Sequence, residues 1–170
     1  MATPSESADD RKAPEALDGL GGLPTASIKT IRRLSVQVLY QLDYQAAQVL
    51  SDEAFQAFIA QNDVPQDLEP WLRVFASLAH EESRRCDTWI KSLSQNWNIS
   101  RMGKVEVAIL RVCLAELLNR GGVTPATVIA DAAEIAKEFG TERSQAFVHG
   151  ILDAVYKDKI LPATKGNPSL

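Results

Sequence analysis

The sequence predicts an all-α fold of two packed helical bundles, built from about six or seven helices. Three observations carry that expectation. Apolar residues recur at helical spacing through most of the chain, and no segment of useful length alternates with period two. Ala, Leu, Gln and Glu are plentiful, while aromatic residues make up only 6% of the sequence. The links between periodic segments are short, which favours neighbouring helices packed antiparallel.

Residues 1–24 are rich in Ser, Pro, Gly, Ala and acids and end in Asp18-Gly19-Leu20-Gly21-Gly22-Leu23-Pro24. This composition reads as a disordered N-terminal extension, taken over 1–26. A helical domain is expected over 27–158, divided into an N-terminal bundle (27–98) and a C-terminal bundle (99–158). Within it, Ile28, Ile31, Val38 and Leu42 give a helix over 27–48. Ser51-Asp52-Glu53 can cap a short helix carrying Phe55, Phe58 and Ile59. One long helix is expected over 67–95, with Pro70 in its first turn and Phe75, Ala79, Ser83, Cys86, Ile90 and Leu93 as its stripe.

Asn96-Trp97-Asn98-Ile99-Ser100 reads as the break between bundles. The next helix, 103–119, is apolar nearly all round and therefore belongs at the centre of the fold. Arg120-Gly121-Gly122 stops it. Thr124-Pro125 is a helix start, with Thr as N-cap and Pro at the first position, and Gly140 marks that helix's end. A last helix spans 142–157, and the prolines and glycine of 159–170 read as a flexible tail.

A chain of 170 residues can bury a core without disulfides or metals. The net charge of −4 argues against a polyanionic partner, but its distribution matters more than its sum. Residues 1–26 hold five acids and two bases, leaving 16 bases against 17 acids elsewhere. A near-neutral body can still carry a local basic face. Cys86 and Cys113 lie inside apolar patterns and read as buried free thiols. No apolar run approaches a membrane span, and the start lacks a secretory pattern, so a cytoplasmic protein is expected. There is no Walker loop, Rossmann glycine pattern, zinc signature or nucleophile elbow. No enzyme, metal or cofactor is expected.

Several stretches carry a family resemblance. Val105-Glu106-Val107-Ala108-Ile109-Leu110-Arg111, with Ala115-Glu116-Leu117-Leu118, resembles the central helix of the NusB family. Val128-Ile129-Ala130-Asp131-Ala132-Ala133-Glu134-Ile135-Ala136-Lys137-Glu138-Phe139-Gly140 resembles its continuation. Ser144 with Phe147-Val148-His149-Gly150-Ile151-Leu152-Asp153 resembles the closing Ser-x-x-Phe-Val-Asn-Gly-Val-Leu-Asp pattern, with His149 in place of Asn. Arg32-Arg33-Leu34-Ser35-Val36-Gln37-Val38-Leu39-Tyr40 is similar to the family's first helix, and Asp87, Ile90, Trp97 and Arg101 also fall where the family tends to place such residues.

The resemblance implies binding of boxA-like single-stranded RNA jointly with the ribosomal protein NusE, in support of ribosomal RNA operon transcription. RNA polymerase would be an indirect partner, and a homodimer is an open possibility. Lys29, Arg32 and Arg33 lie at i, i+3 and i+4 and are expected to cluster on one outward face. Gln37 extends that face. Phe139 and Phe147 fit either core or RNA stacking, and His149 stands at the family's polar position. These seven form the expected RNA site. Tyr40 and Glu106 map to positions where the family meets NusE. Asp131 and Glu134 read as surface or capping acids. Arg111, interrupting an apolar helix, should snorkel outward or pair with a carboxylate.

The arginine-rich opening typical of the family is diluted here to Ile28, Lys29, Thr30, Ile31, Arg32 and Arg33. That leaves an alternative: a diverged paralogue acting as a protein-interaction module with weakened RNA binding. An accessory domain of an RNA methyltransferase is a third reading, for which the chain after 157 is short.

Overall fold

The computed structural model describes residues 17, 19–44, 50–93, 102–119 and 122–165. Among them the fold is wholly helical: α1 (Thr25–Tyr44), α2 (Asp52–Gln61), α3 (Glu69–Glu81), α4 (Ser83–Leu93), α5 (Lys104–Asn119), α6 (Pro125–Phe139), α7 (Glu142–Val155) and α8 (Leu161–Lys165). A π-turn over Tyr156–Ile160 joins the last two. The expected break at 96–100 and residues Arg101, Arg120 and Gly121 lie outside the described residues.

α1 buries Ile28, Ile31, Leu34, Val38 and Leu42, the stripe its spacing defines. α2 starts where the Ser51 hydroxyl accepts the Ala54 N–H at 3.1 Å, and Asp52 and Glu53 complement the dipole of its first turn. α5 is the hub. Val107–Leu110 and Val112–Leu117 are all buried, and the helix packs against α1, α3, α4, α6 and α7. A helix surrounded on all sides has no polar face to spare, which is why its sequence is apolar nearly all round. α6 opens on the Thr124 cap, and α7 opens on a reciprocal cap between Thr141 and Ser144.

Three expectations are corrected. The long helix over 67–95 is two helices. Glu82 turns between them at φ −82°, ψ −1°, and the Ser83 hydroxyl donates back to the Ala79 carbonyl at 2.8 Å, a bond that bends helices. The stripe survives the bend, since Phe75, Ala79, Cys86 and Ile90 are all buried. The tail expected from 159 is helical through Lys165, and Ile160 joins the core. Pro162 falls in the first turn of α8, where a missing N–H costs little.

The third correction concerns the leader, whose residues 1–16 and 18 lie outside the described residues. Its end is packed: Leu17 and Leu20 are both buried, and Leu20–Gly22 forms a 3₁₀ turn. Gly19 takes φ +94°, a conformation that suits glycine. A Cβ on Gly21 would lie a tight 3.1 Å from the Gly122 carbonyl oxygen, and Gly122 itself takes φ +74°, so two glycine backbones meet closely here. Composition alone made these glycines look like disorder.

Both cysteines are buried free thiols, as expected. Arg111 donates from Nε and Nη2 to the two carboxylate oxygens of Asp87 at 2.9 and 2.8 Å, and from Nη1 to Asp43 at 2.9 Å. The charge interrupting α5 thus ties α1, α4 and α5 together.

Candidate nucleic-acid interface

The three α1 cations do not form one outward patch. Arg32 is fully buried. Its Nε and Nη2 donate to the two carboxylate oxygens of Glu116 at 2.5 and 2.7 Å, and its Nη1 donates to Asp131 at 2.5 Å. Burial opposes its charge, but the hydrogen bonds and charge of Glu116 more than offset this, and its pKa is raised. Burial also pushes the Glu116 carboxyl above the usual carboxylate range, against the pull of Arg32. Adjacent positions on a helix differ by about 100°, and that rotation separates an inward Arg32 from an outward Arg33. Arg32 is therefore structural, which corrects its place in the expected RNA site.

Lys29 and Arg33 are partly exposed, with side-chain accessibilities of 39% and 42%. They reach the exposed carboxylates of α6, Lys29 to Glu134 and Arg33 to Glu138, the latter at 3.2 Å. The Glu134 hydrogen bond raises the Lys29 pKa against a small burial penalty. Exposed pairs of this kind contribute about 0–1 kcal/mol, so a phosphate can displace the glutamates at little cost. Asp131 and Glu134 are thus ion-pair partners of α1 and not an acid–base couple.

One helical turn on from Arg33 the surface opens into a groove of about 390 Å³. Gln37 and Tyr40 of α1, Phe58 and Asn62 from the α2 end, Val105 of α5 and Phe139 of α6 line it. Tyr40 and Phe139 are each 37% exposed, the large apolar side chains left open among the described residues. Two accessible rings in a groove that also holds amide groups can stack on and hydrogen-bond to planar groups.

The remaining candidates lie apart from this groove. Phe147 is half-buried against the core, and His149 is exposed on α7. Glu106 accepts the Gly103 N–H at 3.0 Å and so caps α5. Sequence reasoning missed Lys137 and Arg143, both exposed and without an ion-pair partner among the described residues. They flank Phe139 within four positions. A basic residue on each side of an exposed ring was the available signal.

Fold and surface together describe an all-α protein of two packed helical bundles that presents exposed cations, amides and open rings on α1 and α6. The chain belongs to the NusB family, whose pattern it matches over residues 29–157. It is 38% identical over 130 residues to the transcription antitermination protein NusB of Geobacter sulfurreducens, covering 73% of this chain and 89% of that protein. Identity to NusB of Syntrophus aciditrophicus is 33%, over 74% of this chain and 76% of its relative. The fold is similar to the solution structure of NusB from Aquifex aeolicus, with TM-score 0.70 and 27% identity, over 84% of this chain and 95% of the other. It is also similar to a crystal structure of antitermination factors NusB and NusE in complex with dsRNA, with TM-score 0.68 and 26% identity, covering 78% and 97% of the two chains.

Proposed function

We propose that this chain is an RNA-binding transcription antitermination factor that works with NusE and has no catalytic activity of its own. Family membership supports this reading, as does the likeness to a protein solved with NusE and RNA. The observation that carries it in this chain is the meeting of Gln37, Tyr40 and Phe139 on one open groove, one turn from Arg33.

In this reading Lys29 and Arg33 exchange their glutamates for phosphates, releasing counterions. Gln37 and the Phe139 ring hold bases, and Phe147 and His149 extend the contact along α7. Tyr40 and Glu106 face NusE, which enlarges the surface so that each protein alone binds weakly. The expected setting is the cytoplasm, in a complex that reaches RNA polymerase indirectly.

The deciding experiment titrates boxA-like single-stranded RNA with and without NusE across a salt series. Binding that tightens with NusE and weakens steeply with salt supports the proposal. A NusE complex that leaves RNA unbound would favour the protein-interaction paralogue, for which the burial of Arg32 and the glutamates on Lys29 and Arg33 already argue.

A further inference from the structure

Helix α4 keeps its apolar residues and its cations on opposite sides. Cys86 and Ile90 are buried, while Arg84, Arg85 and Lys91 are exposed. Its one acid, Asp87, is drawn inward, with both carboxylate oxygens taken by Arg111. Several cations on other helices meet an acid: Arg33 meets Glu138, Arg73 meets Asp52 and Lys157 meets Asp153, whereas Lys137 of α6 and Arg143 of α7 do not. On α4, Arg84 and Lys91 have no ion-pair partner among the described residues. Arg85 approaches Glu82 only at 3.8 Å and lays its guanidinium 5.0 Å from the centre of the half-buried Trp89 ring.

We propose that this face of α4 is a second contact for the RNA backbone, separate from the Gln37–Tyr40–Phe139 groove. The proposal rests on the RNA-binding reading above and adds a surface to it. Three cations stand over about 10 Å of helix, a span that meets successive phosphates. The Arg85–Trp89 stack adds a planar group on which an unpaired base can lie. The chain carries net charge −4, so a polyanion is held only where cations gather locally.

The two surfaces are distinct, since none of Arg84, Arg85, Trp89 and Lys91 lines the groove. Arg111, which holds Asp87 of α4, also holds Asp43. Asp43 lies three positions beyond Tyr40 of the groove, about 5 Å along α1. In this proposal RNA that fills the groove reaches α4 by running on past the Asp43 end of α1, so the α4 face adds its contact to a longer strand.

The test compares a boxA-like hexanucleotide with a strand several times longer, each titrated against the full chain with NusE across a salt series. The triple substitution Arg84→Ala, Arg85→Ala, Lys91→Ala should leave hexanucleotide affinity unchanged. It should weaken the longer strand about tenfold and flatten its salt slope by about 2, at roughly 0.7 per lost phosphate contact. Equal affinity of wild type and variant for the longer strand would overturn the second contact while leaving the groove intact. Loss of hexanucleotide binding in the variant would also overturn it, by making α4 part of the first site. Wild type that binds neither strand would refute the RNA reading itself, and this proposal with it. Stronger competition at α4 by polyglutamate than by RNA of equal charge would assign the face to an acidic protein and overturn the RNA contact. All three side chains are exposed, so an unchanged unfolding midpoint should accompany the variant.

Discussion

Arg32 and Glu116 lie 84 positions apart in sequence and form a two-bond ion pair with both side chains sealed from solvent. The pair joins α1 to the central helix, and Asp131 adds α6. Removing one member of such a cluster strands the other charge in a low-dielectric interior. Arg32→Ala should destabilise the fold by about 3–5 kcal/mol, read from urea unfolding midpoints. Arg32→Lys should recover only part of this, because an ammonium cannot reproduce the forked geometry. A loss below about 1 kcal/mol would show that the pair behaves as an exposed one.

Arg33 should behave in the opposite way. Arg33→Ala should change stability by less than about 1 kcal/mol but weaken RNA binding and lower its salt slope by about 0.7. Glu138→Gln frees the same cation and should tighten RNA binding. Parallel titrations of both variants check the pair of outcomes.

The two phenylalanines separate function from packing. Phe139 is open to solvent, whereas Phe147 rests on the core. Phe139→Ala should cost about 1–3 kcal/mol of RNA affinity with little change in thermal midpoint. Phe147→Ala should lower the midpoint as well.

The thiols give a pH dependence. Burial pushes the Cys86 thiol up to about 12 and moves Cys113 in the same direction. In the unfolded chain both would ionise near about 8.5. Above that pH the unfolded state binds fewer protons than the folded one, so stability falls as pH rises. Below it these thiols contribute no slope. Neither thiol should react with a disulfide reagent at pH 8 until the protein unfolds. Rapid labelling of the folded chain would show that the cysteines are accessible.

How much was legible in the sequence depends on whether a signal is local. Helix periods and caps are local, and Ile28, Ser51, Thr124 and the apolar run of α5 marked their elements directly. The end of α3 was hidden because its apolar stripe continues in phase through the turn at Glu82. The fate of Arg32 was hidden for a different reason. Spacing places it on the same broad face as Arg33, and only the distant Glu116 and Asp131 decide which of the two turns inward. The groove was legible in part, since Gln37, Tyr40 and Phe139 were each singled out, but their meeting depends on how α1 and α6 lie alongside each other.

The burial of Leu17 and Leu20 bears on where the folding unit begins. A protein shortened to start at Ser27 would uncover the apolar surface on which Leu17 and Leu20 pack and bare the turn at Gly122. Truncations meant to trim the polar leader should therefore stop before Leu17, and a protease that cuts at Lys12 should leave a fragment as resistant to heat as the parent.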